Sequence, residues 1–348
     1  MSTFTDIKNK SLASWREIVA RYQTPSTWRS IVQLCTTLGP LVLAFVAMYF
    51  LARINYWLTV PVAIVAAGFL IRTFIIMHDC GHGSFFRSRR ANDIVGFITG
   101  VLTLTPYVQW RRDHAIHHAT SGHLDERGFG DISTLTVREY LNLTRWRRFC
   151  YRVYRNPLIL LGVGPIALIV RHRVHNPKSA GRKEIVNVHA TNLAILVVFT
   201  LASLVVGPWK VLSLYGPAMF LAAAAGIWLF YVQHQFEDTY WAEAGEWDYT
   251  VAAVEGSSFY RLPRVLDWIT GSIGFHHVHH LSPRIPNYNL RRCHDENPLF
   301  QQARVLTMWE SAKTFSLKVF DEERKRLIGW RELRRIRTSS GNPVLDGR

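Results

Sequence analysis

Two pairs of long apolar stretches dominate the chain: Ile31 to Leu51 with Leu58 to Met77, and Val188 to Val206 with Val211 to Val232. Each runs for about 20 residues, and at a helical rise of roughly 1.5 Å per residue this covers the roughly 30 Å hydrocarbon core of a bilayer. Four transmembrane helices are predicted. Within each pair the connector, Ala52 to Trp57 or Gly207 to Lys210, leaves room only for a hairpin turn. Tyr56, Trp57 and Trp209 sit in these turns, and such rings favour the membrane–water interface. Two shorter apolar runs, Ile94 to Val108 and Pro157 to Val170, contain Gly and Pro and fall below spanning length. Interfacial or re-entrant helices are expected there, with ordinary soluble core as the alternative.

Composition agrees with this picture only once it is divided by segment. The chain has 348 residues, 49% apolar, 13% aromatic and 19% charged, which excludes a disordered chain and a small disulfide scaffold. Taken alone, a mean hydropathy of +0.04 argues against a membrane protein, and a net charge of +16 argues for nucleic acid or an anionic surface. The distribution reconciles both. Of the 41 Lys and Arg residues, 38 lie in residues 1–30, 79–187 or 233–348, together with all 25 Asp and Glu, whereas the short turns carry only Arg53 and Lys210. The positive-inside rule then places both termini and the long central loop, 78–187, in the cytoplasm. Nucleic acid is not needed to explain the charge. Arg72, inside the second stretch, is expected to snorkel to the cytosolic interface, contact with a lipid phosphate being the alternative. The first 30 residues lack the early apolar run and cleavage site of a signal peptide, so the amino terminus is expected to stay cytoplasmic. Cys35, Cys80, Cys150 and Cys293 are too far apart for a zinc ribbon or a redox pair.

Histidine carries the chemistry. His78 and His82, in HDCGH, directly follow the second stretch, and if the helix continues their i, i+4 spacing puts both rings on one face. In HAIHH, His114, His117 and His118 add three more at i, i+3, i+4, and FHHVHH repeats that spacing as His276, His279 and His280. Surface histidines scattered by chance would not group in this way. His234, where the fourth span emerges, mirrors His78 and completes a set of nine, unless it is an ordinary capping or interfacial residue. His123, His172, His175, His189, His277 and His294 have no such partner spacing and are left outside the set, His277 being the nearest to inclusion. One zinc ion would leave most of eight or nine imidazoles idle, whereas two metal ions would use them. Imidazole also suits iron and copper, so ligand type leaves the metal open. Asp79, Asp113, Glu237 and Asp238 are candidate partners for ring N–H groups, each with surface carboxylate as the alternative.

The three histidine strings resemble the boxes of the membrane fatty-acid desaturases. The similarity extends to FIIMHDCGHGSFF, LTPYVQW, HHATSGHLDERGFGDI, YRVYRNP, WLFYVQHQFEDTYW, AAVEGSSFYRLP and TGSIGFHHVHHLSPRIPNYNL, strings similar to the bacterial acyl-lipid desaturases of the Bacillus delta-5 type. It covers nearly the whole chain and does not by itself transfer the double-bond position. The resemblance implies an all-α integral membrane protein of one domain, residues 1–348. Four spans in two hairpins would carry a cytosolic helical cap that holds a histidine-rich di-iron site. It implies iron ligands at His78, His82, His114, His117, His118, His276, His279 and His280, with His234 as the histidine outside the boxes. In related animal acyl-CoA desaturases an asparagine one turn before that histidine holds a water; here the position is Phe230, so the last ligand is open, with Gln233 a candidate.

The activity implied is oxygen-dependent desaturation of phospholipid acyl chains in the cell membrane. Two electrons must come from outside, because the chain lacks a haem motif, an iron–sulfur cysteine set and a G-x-G-x-x-G fingerprint. An acidic ferredoxin or flavodoxin docking on the basic cytosolic face is expected. The rival from the same superfamily is a di-iron hydroxylase or ketolase acting on lipid or carotenoid. A histidine-rich metal transporter would need ionisable residues at mid-membrane, and the histidines lie outside the spans.

Overall fold

The computed structural model describes residues 14–128 and 132–339. The expected cytoplasmic placement of the chain ends concerns residues 1–13 and 340–348 as well, which lie outside the described residues.

After a short helix α1 (Ser14–Ala20), the first hairpin is α2 (Thr27–Ile54) and α3 (Thr59–His82), joined by Asn55 and one 3-10 turn, Tyr56–Leu58. Ser26 caps α2 by accepting from the Arg29 N–H, and the Asn55 side chain accepts from the Trp57 N–H at 2.9 Å, which stops one helix and starts the turn. Gly83 ends α3 in the left-handed conformation, φ +69°, which costs glycine little. The helix therefore continues through HDCGH, and the first histidine pair is its last turn. The amphipathic α4 (Arg89–Leu102) and α5 (Tyr107–Thr120) divide the expected apolar run Ile94 to Val108 between them, with a break at Leu104 and Pro106. Next come α6 (Val137–Asn142) and α7 (Arg145–Tyr154). The run from Pro157 becomes two short helices, α8 (Pro157–Gly162) and α9 (Gly164–Arg171). The second hairpin is α10 (Arg182–Val206) and α11 (Pro208–His234), turned at the single residue Gly207, φ +88°.

All four long helices are apolar enough to span a membrane. Half of the apolar window of α3 is buried, against 11% of that of α10, so α3 is the centre of the bundle. Its Ala63, Ala66 and Ala67 meet Ala218, Ala222 and Ala223 of α11, and Leu41, Ala44 and Met48 of α2 close the same cluster. Small residues at these positions let helix backbones approach where no hydrophobic force separates helix from lipid. Outward, Leu204, Val205 and Trp209 at the second hairpin tip are 79%, 82% and 80% exposed, a surface suited to lipid.

Above the bundle the chain builds a helical cap from α12 (Tyr249–Glu255), α13 (Arg264–Ile269), α14 (His276–Leu281), α15 (Asn287–Asp295), α16 (Met308–Thr314) and α17 (Trp330–Ser339). Two small sheets, absent from the all-helical expectation, brace it: β1 (Phe259–Arg261) pairs parallel with β2 (Val305–Thr307), and β3 (Leu317–Asp321) antiparallel with β4 (Arg326–Gly329).

Arg72 departs from expectation. It is buried: its Nε donates to Thr37 Oγ1 on α2 at 3.0 Å, its Nη1 donates to the Trp268 carbonyl, and the guanidinium lies 4.0 Å from the centre of the Trp268 ring. A buried cation persists when its donors are paired, and here the pairing pins α13 of the cap to the first hairpin.

Candidate metal centre

The three histidine strings are brought together by packing at the ends of the spans. Tyr107, the first residue of α5, lies so close to α4 that a Cβ on Gly96 would stand 2.3 Å from its ring. Its hydroxyl donates to the Cys80 carbonyl at 2.9 Å, which seats the start of α5 against the last turn of α3. On the other side, α14 lies against α12, and the Tyr249 hydroxyl of α12 donates to the His280 carbonyl at 2.8 Å.

Nine histidines converge in two groups: the eight singled out by spacing, and His234, singled out by its place where the fourth span emerges. His78, His82, His114, His118 and His279 form one group, and His117, His234, His276 and His280 the other; within each, one ring nitrogen per residue lies within 4.8 Å of all the rest. The i, i+3, i+4 spacing now has a geometric meaning. In α5 the outer pair, His114 and His118, serves the first group while His117 turns to the second; in α14 the outer pair, His276 and His280, serves the second while His279 turns to the first. The stacked rings of His118 and His280, 4.2 Å between centroids, join the two groups.

Ring nitrogens approach closely: His114 Nε2 lies 3.1 Å from His118 Nε2, His118 Nε2 lies 3.0 Å from His279 Nε2, and His234 Nε2 lies 2.9 Å from His276 Nε2. Two imidazoles bound at right angles to one ion, each about 2.1 Å from it, would also stand about 3 Å apart. Burial, and then the neighbouring imidazoles, push His114, His118, His276, His279 and His280 well below the ordinary histidine range. The neutral ring that results is the form that ligates metal. The Nε2 atoms of His82 and His280 are buried without a hydrogen-bond partner among the described residues, a costly state unless a metal takes the lone pair. The donor set fits two metal ions.

The four carboxylates separate. Asp79 Oδ1 faces His78 Nδ1 at 3.1 Å. Asp113, one residue before His114 and so about 100° around the helix, instead accepts from the Ser179 hydroxyl and from Asn176 Nδ2. Because α11 stops at His234, Glu237 does not share that histidine's helical face. It pairs with Arg326 at 2.7 Å, and the exposed Asp238 lies 3.9 Å from Arg304. Those three stand away from the rings. His234 Nδ1 instead lies 3.2 Å from the Gly256 carbonyl, a backbone partner that no motif announces. Gln233, next to His234, donates through Nε2 to the Ile273 carbonyl at 3.0 Å. The Phe230 ring lies 5.1 Å from those of His117 and His234, and with His234 it lines a small cavity. Trp110, not singled out by spacing, stacks on His114 at 4.3 Å. The six remaining histidines lie outside both groups; His277 and His294 are paired with each other, Nε2 to Nδ1 at 3.1 Å.

Residues 55–312 match the family model described as "Fatty acid desaturase". The chain belongs to this fatty acid desaturase family. The desaturase chain is 45% identical, over 92% of its own length and 91% of the relative's, to "Fatty acid desaturase" of Bacillus subtilis (strain 168). It is 32% identical to "Omega-3 fatty acid desaturase, endoplasmic reticulum" of Vigna radiata var. radiata, over 68% of the chain and 64% of the relative. Against "sn-2 acyl-lipid omega-3 desaturase (ferredoxin), chloroplastic" of Arabidopsis thaliana it is 29% identical over 69% of the chain and 55% of the relative. Four apolar spans and this family membership make it a membrane protein, with histidine groups able to bind metal.

Proposed function

We propose that this protein is an oxygen-dependent acyl-lipid desaturase of the cell membrane that introduces a double bond into phospholipid acyl chains. The observation that carries the reading is the convergence of nine histidines, seven buried and His82 and His114 half-buried, into groups of five and four at the ends of α3 and α11. Two iron ions, held by His78, His82, His114, His118 and His279 and by His117, His234, His276 and His280, would use dioxygen to remove hydrogen atoms from an unactivated methylene. Because three of the nine, His78, His82 and His234, sit on the last turns of spans, an acyl chain still anchored in the bilayer can reach the site. The rings of Trp110 and Phe230 cover His114 and His234 and help keep water from the reacting carbons. In this reading the ends of α3 and α11, the cap and both termini face the cytoplasm.

Electrons come from an acidic ferredoxin or flavodoxin; relatives in sunflower and Arabidopsis thaliana carry "ferredoxin" in their names. The resemblance of its motif strings to the Bacillus delta-5 type makes delta-5 the double-bond position to test first. The test is expression in a host without polyunsaturated lipids, followed by gas chromatography and mass spectrometry of derivatised acyl chains. Desaturation lowers product mass by about 2 Da, whereas hydroxylation adds about 16 Da. His118→Ala is expected to abolish the product, and the purified wild type to carry iron. An unchanged lipid profile in the variant, or one zinc and no iron per chain, would sink the reading.

A further inference from the structure

His78 is distinguished within its group by the carboxylate its ring faces, Asp79 Oδ1, at 3.1 Å between two almost fully buried side chains. The second oxygen of that carboxylate, Oδ2, is held by one residue of the cap. Asn287, the first residue of α15, donates to it twice, through its backbone N–H at 2.7 Å and through its side-chain Nδ2 at 2.8 Å. The remaining polar atom of the amide, Asn287 Oδ1, accepts from Nε2 of Gln33 on α2 at 3.2 Å. Gln33, Asn287 and Asp79 are all buried. Two neighbouring contacts clamp the same end of α15 to the start of α2: Arg29 Nη1 donates to Asn289 Oδ1 at 2.7 Å, and the Ser26 N–H donates to the Tyr288 hydroxyl at 2.9 Å.

This chain of bonds has a direction. Gln33 offers donors to the amide oxygen, so the Asn287 NH2 must point at Asp79, and a carboxylate held by two donors on Oδ2 is fixed in rotation. Oδ1 is thereby presented to His78 Nδ1. A proton on Nδ1 then leaves Nε2 as the free lone pair, the tautomer a metal ligand requires.

We propose that Asn287, held by Gln33, is a positioning residue of the first histidine group, setting through Asp79 the ring orientation and tautomer of His78. The inference rests on the reading of the two histidine groups as metal sites. The relay ends on His78, a member of the first group, whereas in the second group the His234 ring faces a backbone carbonyl. Loss of the relay therefore weakens one metal site and spares the other. A general loss of packing would weaken both.

The experiment titrates the full-length chain, purified in detergent and stripped of metal, with Co(II) against a competing chelator while its ligand-field bands are followed. Wild type is expected to take up two ions. Asn287→Leu is expected to bind one ion as wild type does and the other about 10- to 100-fold more weakly. Gln33→Leu shifts the same site in the same direction by less. Unchanged affinity for both ions, or equal weakening of both, overturns the proposal. Should Asn287→Leu not fold, selective weakening in Gln33→Leu carries the proposal and its absence ends it. A wild-type chain that binds fewer than two Co(II) ions overturns instead the two-metal reading beneath it.

Discussion

At the scale of single residues, this chain crowds imidazoles together with little water to solvate a proton. Burial depresses the folded-state pKa of His114, His118, His276, His279 and His280 below the ordinary value. Below about pH 6.5 the unfolded chain takes up protons that these buried rings refuse, so the unfolded state binds more protons and stability falls as pH falls. Each tenfold bias of one ring toward its neutral form is worth about 1.4 kcal/mol. The metal-free protein is expected to melt at a constant temperature above about pH 7.5, and at a temperature several degrees lower for each pH unit below about 6.5. Melting curves in detergent across that range check this; a midpoint indifferent to pH would mean that the rings are hydrated. Eight of the nine rings were legible because side chains that share a helix face recur at i, i+3 and i+4, and His234 by its place at the end of a span. For Asp113, Glu237 and Asp238 the alternative, a carboxylate turned away from the rings, holds because closeness in sequence says nothing about direction: one residue along a helix is a different face, and beyond a helix end there is no face.

At the scale of elements, α7 is turned inside out. Trp146, Phe149, Cys150 and Val153 recur at i, i+3, i+4 and i+7, and this apolar stripe is exposed, Trp146 by 69%. Contact with the protein is made instead by the core residue Tyr151 and by two arginines: the Tyr151 hydroxyl donates to the Lys318 carbonyl at 2.6 Å, Arg152 Nε donates to the Tyr140 hydroxyl at 2.8 Å, and Arg148 donates to the Leu141 carbonyl. Such a helix suits the headgroup layer of a bilayer, and the exposed Leu158 and Ile166 continue the same character into α8 and α9. A nitroxide on Cys150, in a Cys35→Ser background in liposomes, is expected to meet oxygen more readily than a water-soluble nickel chelate. The opposite preference would put α7 in water. The four arginines of this segment mask its stripe in any composition average, which is why the hydrophobic pattern pointed to Pro157 to Val170 and passed over α7.

At the scale of the whole molecule, the proposed function ties the surface charge to electron supply. The +16 net charge gathers on the segments outside the spans, where Arg324, Arg326, Arg331 and Arg335 line an open cleft beside the β3–β4 hairpin. Leu327 of that hairpin donates its N–H to the Glu237 carbonyl, three residues after His234. Turnover with an acidic ferredoxin is expected to fall several-fold as salt rises from about 50 mM to about 500 mM, through a rising KM for the donor. Steady-state assays at fixed lipid check it, and turnover indifferent to salt would count against an electrostatic donor face.

The spans, their hairpin pairing and eight of the nine histidines follow from the sequence alone, because each rests on a local rule: bilayer thickness sets the length of an apolar run, and helical pitch sets the spacing of side chains on one face. Only the tertiary structure decided how the nine divide into five and four, that Arg72 is consumed in holding α13, and that Asn287 reaches Asp79. Each of these depends on contacts between residues far apart in sequence, and such contacts leave no periodic trace in the chain.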